Sequence, residues 1–270
     1  MFALILIEFL LRLIFGIGLA MFITSSKEVT SGFFRVHLWV LMGLATFGAM
    51  VAYLPLSTSA EAGETARQLL QTLERWQFGL LVMVAVVSYI GAVVWLYEAS
   101  LVGKICLLVV TLGSLAALLL RLPHLTQGMG AVGWASVLDR ITSGGVLGTI
   151  TTAMLLGHWY LNTPTMQIAP LQRLVIAIAV AVLARMLVSG SCAVLELQRE
   201  GGVETSWKVF LALRWIAGLI SVLGMSWMTW LTLKIPNTQS ATGILYAGVI
   251  LAFIGELTGQ LMSLGGGWPL

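Results

Sequence analysis

The chain has 270 residues, 59% apolar and 9% charged, with a mean hydropathy of +1.00, whereas an average soluble domain carries about 25% charged residues. That composition excludes a soluble globular protein and describes a single all-α membrane domain over residues 1–270, a polytopic bundle with lipid around it. A formal charge of +3 without a run of five basic residues gives no surface for nucleic acid, so the bilayer is the expected environment.

With about 20 apolar residues as the length of a span, eight transmembrane helices are predicted. The first, 2–25, has no basic leader and no small-residue cleavage site, and Glu8 and Arg12 interrupt it, so it reads as a retained helix rather than a signal peptide. These two residues stand at i,i+4 with the acid first, the better order for a helical ion pair. The second span, 32–56, carries His37. A polar connection, "STSAEAGETARQLLQTLER" (57–75), follows; Leu69, Leu70 and Leu73 recur there at helical spacing, which suggests a short interfacial helix. Spans at 76–97 and 101–121 complete a first four-helix half, 1–121. The joint "RLPHLTQGMG" holds His124, read as solvated.

The second four-helix half, 132–263, has spans at 132–162, 172–198, 205–232 and 241–263. The fifth carries Asp139, Arg140 and His158, the sixth Arg185, the seventh Arg214, and the eighth Glu256 with Gln260. "RWQFGLLVMVAVVSYIGAVVWL" (75–96) aligns faintly with "LRWIAGLISVLGMSWMTWL" (213–231), suggesting a duplication. A transporter would need broken helices at corresponding points of the two halves, and "LVSGSC" (187–192) in the sixth span is the only strong candidate, without a clear counterpart in the first half. An even number of spans puts both termini on one side, face A, and the opposite side is face B. Basic loop residues divide evenly between the faces, so the positive-inside rule barely discriminates; face A is placed outside, in a cell (inner) membrane.

Helix direction assigns depth. Glu8, Asp139, Arg140, Arg214 and Glu256 fall in the face-A third of the bilayer, with Arg12 and Arg185 nearer the middle. Small residues share their faces: Gly16 with Arg12, Ser189 with Arg185, Gly218 and Ser221 with Arg214, and Gly255 and Gly259 flanking Glu256. Such pairing marks helix faces packed against other helices. A charge at mid-bilayer costs at least about 2.5–3.5 kcal/mol, so these residues form a structural ion-pair network, line a polar cleft open to face A, or do both.

His37 and His158 lie at similar depths near face B, as bis-His ligation of haem b between two helices requires. Val40 and Leu41 crowd His37, however, and "HWYLN" (158–162) reads better as an interfacial aromatic belt. Cys106 and Cys192 stand alone in apolar runs and read as core residues. The ten Trp and twelve Met residues read as belt and packing. No soluble-type catalytic or metal motif is present, and no catalytic or metal-ligating residue is assigned.

The eight-span plan, "LWVLMGLATFGAMVAYLPL" (38–56) and "IGELTGQL" (254–261) together resemble the membrane anchor subunit of dimethyl sulfoxide reductase and related quinol-oxidising anchor subunits. The resemblance implies an all-α bundle without haem, a quinone near one membrane face, and electrons passed to an iron–sulfur partner subunit. Glu256 matches the family's pattern. Gln260 stands where the family typically has Arg, and Tyr53 or a neighbouring apolar residue stands where it has a histidine. A proton acceptor for quinol would then be Glu256, Glu8 or Asp139, beside an arginine that tunes it.

The expected function is a membrane anchor or accessory subunit of a quinone-linked electron-transfer complex, assembled with other subunits and at most a quinone-binding part of an oxidoreductase. Its quinone and proton-relay candidates are Glu256, Glu8, Arg12, Arg214, Asp139, Arg185 and Gln260. The alternatives are a small-solute or proton-coupled transporter and a purely structural or assembly subunit.

Overall fold

The computed structural model describes residues 2–53, 64–120, 122, 130–163, 165–198, 205–235, 237–265 and 267–270. The loop residues 57–63 and His124 lie outside them. Among the described residues there are eight helical rods: α1 (Phe2–Ile23), α2 (Ser31–Tyr53), α3 (Glu64–Leu96), α4 (Ser100–Leu119), α5 (Ala131–Asn162), α6 (Ala169–Leu197), α7 (Thr205–Lys234) and α8 (Thr238–Ser263). Seven of them are long and apolar enough to cross a membrane. The remaining one is α5, whose glycines, serines and threonines lower its hydropathy.

The expected interfacial helix within 57–75 is corrected by the fold. "ETARQLLQTLER" forms the opening turns of α3, which runs unbroken from Glu64 to Leu96, as a stretch of good helix formers without Gly or Pro favours. At the other end of α3 the chain reverses over three residues, with Glu98 in the left-handed region at φ 58°, and α4 begins at once. Pro170 sits in the first turn of α6, where its missing N–H costs nothing. The Asn237 side chain accepts a hydrogen bond from Ser240 N at 3.0 Å and caps α8.

Helices α1 to α4 form one ring, each packed on the next and α4 back on α1; α5 to α8 form a second ring in the same cyclic order. The rings meet mainly along α1 and α5. Glycines make that seam close: a Cβ at Gly16 would lie 1.9 Å from Gly144 O, and one at Gly148 would lie 1.8 Å from Gly16 C. At the α7–α8 contact a Cβ on Gly255 would lie 2.2 Å from Gly218 Cα. Without lipid-driven association between helices, this backbone approach provides the packing contact.

Burial is inverted relative to a soluble protein. Leu187 is 73% exposed, while Arg185, two residues earlier on the same helix, is 0% exposed. Exposed leucines, isoleucines, valines and tryptophans cover the outside of the rings, and charged and hydroxyl side chains lie within. The chain is a multi-pass membrane protein whose apolar exterior faces lipid. Toward face B, Lys104 Nζ of α4 donates to the carbonyls of Met21, Phe22 and Thr24; it thereby satisfies the end of α1. Between α1 and α2, Glu28 takes both terminal nitrogens of Arg173, at 2.5 and 3.1 Å.

Two outcomes follow from this packing. Gly148→Ala forces a methyl group into the Gly16 backbone and lowers stability by about 1–3 kcal/mol, while Gly43→Ala, which meets nothing within 4 Å, leaves the unfolding temperature unchanged or slightly higher. Thermal unfolding of the purified chain in detergent separates the two. The hydrogen bonds from Arg173 hold the Glu28 carboxyl below its ordinary range. A carboxyl whose pKa is lower folded than unfolded adds stability above the unfolded value, about 4.3, and that stability is lost as pH falls through the folded value. The difference in unfolding temperature between the wild type and Arg173→Gln therefore narrows as pH falls below about 4.3 and closes below the folded value.

Candidate functional site

Six charged side chains from four helices meet in one buried cluster. On α1, Glu8 and Arg12 pair at 2.9 Å across one helical turn. Arg12 also reaches Asp139 on α5 at 2.9 Å, and Arg140 reaches back to Glu8 at 3.0 Å. Arg185 of α6 closes the chain. Its Nη1 donates to Asp139 Oδ1 at 2.6 Å, and its Nε and Nη2 form a two-point contact with Glu256 of α8 at 3.0 and 2.9 Å.

The pairing is continuous, Glu8–Arg12–Asp139–Arg185–Glu256, and it crosses from one ring to the other. Burial deepens along it: the Glu8 side chain is 32% exposed, while Asp139, Arg185 and Glu256 are at most 3% exposed. Every nitrogen of Arg185 has a partner, since Nη1 also meets Asp139 O and Nη2 also meets Leu270 O, both at 3.2 Å. Planar two-point recognition of this kind suits a guanidinium and not an ammonium.

Arg214 is different. It lies 1% exposed beside the cluster, and among the described residues none of its three nitrogens has a hydrogen-bond partner. Its guanidinium rests on the backbone of α8: a Cβ at Gly259 would lie 1.5 Å from Nη1. The neighbouring Gln260 is 5% exposed, and both atoms of its amide are unpartnered. Arg214 also opens a π-helical segment, Arg214–Ile220, in which Ser221 N donates to Ile216 O, five residues back. The wider turn rephases α7 around Arg214, and such irregularities concentrate at functional positions.

The chain's last described residues fold over this cluster. Glu196 accepts from Gly267 N and Trp268 N, both at 3.1 Å, and Leu270 N donates to Ser263 Oγ at 2.9 Å. Leu270 is fully buried against Cys192, Ala193 and Met262. Sequence reading missed this segment. Its only signal was Glu196, an acid in the last turn of α6.

His37 and His158 lie elsewhere. His158 is about 28 Å along α5 from Asp139. His37 Nδ1 donates to Phe33 O at 2.6 Å, and its ring packs against Phe33 at 4.3 Å and Trp159 at 6.3 Å. His158 is exposed, with Nδ1 at 3.5 Å from Tyr246 Oη. The aromatic belt expected over 158–162 is corrected in part: Tyr160 is buried and donates to Gln167 O, and Trp159 Nε1 donates to Thr30 Oγ1 at 2.9 Å. The candidate break at "LVSGSC" is not one: α6 passes through it without interruption, and Gly190 makes room for Trp215. The irregular helix is α7.

Between α6 and α7, toward face B from Arg185 and Arg214, an apolar groove of about 590 Å³ is lined by residues including Val175, Ala179, Leu223, Trp227 and Trp230.

The network's partners have unequal worth. Asp139→Asn removes the counter-charge from both Arg12 and Arg185 and costs about 3–5 kcal/mol, whereas Glu8→Gln, at the part-exposed end, costs about 1 kcal/mol. Denaturant or thermal unfolding in the same detergent orders the two. In comparisons with known proteins, the chain matches no family model, no curated protein and no solved structure.

Proposed function

We propose that the chain is an eight-span membrane anchor or accessory subunit of a quinone-linked electron-transfer complex, with α5 as the eighth span. The observation that carries this reading is the buried chain of alternating carboxylates and guanidiniums from Glu8 to Glu256. Interconverting quinone and quinol moves two protons with two electrons. The site therefore needs a carboxylate at the headgroup and a conducting line to one membrane face. Glu256 is the inner group in this reading, and Glu8, the most exposed member, exchanges protons with water at face A.

Each arginine along the line has a defined part. Arg185 orients Glu256 and couples it to Asp139, and Arg12 couples Asp139 to Glu8. A guanidinium does not give up its proton, so the arginines hold the acids in line, and proton exchange in this reading belongs to the carboxylates alone. The apolar groove on α6 and α7 suits a long hydrocarbon tail. The redox centres that exchange electrons with the quinone belong, in this reading, to partner subunits.

Native purification followed by mass spectrometry, lipid extraction and an optical spectrum tests the proposal. The expected result is co-purifying quinone and at least one partner subunit bearing an iron–sulfur cluster or haem. A stable solitary chain without quinone overturns it. In the assembled complex, Glu256→Gln lowers quinol-dependent turnover at least tenfold, a barrier increase of about 1.4 kcal/mol; unchanged assembly with unchanged turnover removes Glu256 from the path.

A further inference from the structure

We infer that residues 267–270 form a latched strap that opens locally at face A and, when open, admits water to the inner end of the charge line, where Arg185 and Arg214 lie. The inference goes beyond the quinone reading and does not depend on it, because its test reads thiol reactivity in the isolated chain.

The latch is polar and sits at the ends of two helices. Glu196, in the last turn of α6, accepts from Gly267 N and Trp268 N through one oxygen, both at 3.1 Å, and Leu270 N donates to Ser263 Oγ, the last residue of α8, at 2.9 Å. The innermost contact is Leu270 O, which accepts from Arg185 Nη2 at 3.2 Å. Between α8 and Trp268 the sequence is rich in glycine, Gly265 and Gly267 among them, and a Cβ at Gly265 would meet nothing within 4 Å. That stretch can pivot without displacing a side chain.

The apolar part of the strap is separate from the main core. Leu270 packs with Cys192, Ala193 and Met262, and the half-buried Trp268 packs on the same group, which is distinct from the core that the two rings share. A satellite cluster of this kind opens without disturbing the rest, at a fraction of the free energy of global unfolding.

The closed state also leaves something for water to gain. Leu270 O and the Arg214 guanidinium come to one place on α8: a Cβ at Gly259 would lie 2.9 Å from the first and 1.5 Å from Arg214 Nη1. Among the described residues the Arg214 nitrogens nevertheless have no hydrogen-bond partner. Lifting the strap takes a fully buried leucine out of its pocket, which opposes opening. It also lets water reach guanidinium donors that are unused when the strap is closed, which favours opening. Arg185 loses little, because its Nη2 keeps Glu256 Oε2 at 2.9 Å. The strap is therefore closed at rest and opens at low cost.

The two cysteines provide the test. Cys192 is 3% exposed beneath Leu270, about two helical turns from Arg185. Cys106, 8% exposed on α4, belongs to the other ring and reports opening of the whole bundle. The full chain in nanodiscs is treated with a charged, membrane-impermeant methanethiosulfonate, with Cys106→Ala isolating Cys192 and Cys192→Ala isolating Cys106. With the strap intact, Cys192 is expected to react at least about tenfold faster than Cys106. Glu196→Ala, which releases Gly267 N and Trp268 N, raises the Cys192 rate at least about tenfold further and leaves Cys106 unchanged. Deletion of residues 267–270 sets the upper limit.

Equal rates at the two cysteines with the strap intact mean that the segment opens only with the whole bundle, and overturn the proposal. So does a Cys192 rate that Glu196→Ala and the deletion leave unchanged. If Glu196→Ala raises both rates together, the acid holds the whole bundle and Trp268→Ala decides, since it loosens the strap and keeps the latch. A rise at Cys192 alone then supports the strap, and an unchanged Cys192 rate or an equal rise at both cysteines overturns it.

Discussion

The double contact of Arg185 holds the site together. One guanidinium on α6 binds Asp139 of α5 and Glu256 of α8 at once, without exposure to lipid or water. Its desolvation is costly, and only complete use of its donors offsets that cost. Completeness requires three helices in fixed rotation and depth, so the pairing sets the register of the second ring as well as an electrostatic site. Through Asp139 and Arg12 the same constraint extends to the first ring, next to the glycine seam where α1 and α5 nearly touch.

The two kinds of contact divide the work between them. Glycines at 16, 144 and 148 allow the helices to approach but specify little about depth, because small residues slide past one another at low cost. Ion pairs specify depth but provide little net stability once desolvation is included. Together they produce a seam that is both close and in register. The low hydropathy of α5 is the consequence: a helix enclosed by α1, α6 and α8 meets protein over most of its surface and can carry the threonines, serines and charges that a lipid-facing helix cannot.

Much of this was legible in the sequence because membrane-spanning helices announce themselves by length and hydropathy. Depth also followed from helix direction, which placed Glu8, Asp139, Arg140, Arg214 and Glu256 on one level before any contact was known. Partner choice was not legible. Counting acids and arginines suggests that Arg214 is neutralised with the others, whereas Arg185 takes both carboxylates within reach. The π-helical turn was invisible as well, since one extra residue in "RWIAGLI" leaves an apolar run apolar. For the same reason "LVSGSC" looked like a break: Gly and Ser weaken a helix in water, but in this bundle α6 keeps its backbone hydrogen bonds and uses Gly190 to admit Trp215.

The contrast between Arg185 and Arg214 separates structure from function in this cluster. A network whose only task is to fix register is finished when its charges balance and its donors are used, and the six paired side chains meet most of that requirement among themselves. Adding Arg214 gives no hydrogen bond among the described residues and introduces a full buried charge. Leucine at that position would pack against Gly259 only by losing the space the guanidinium occupies, but it would remove the charge penalty altogether. The guanidinium lies instead against Gly259, where the Leu270 oxygen also comes in, so the π-helical turn that begins at Arg214 and the residues that fold over the cluster meet at one place on the α7–α8 seam.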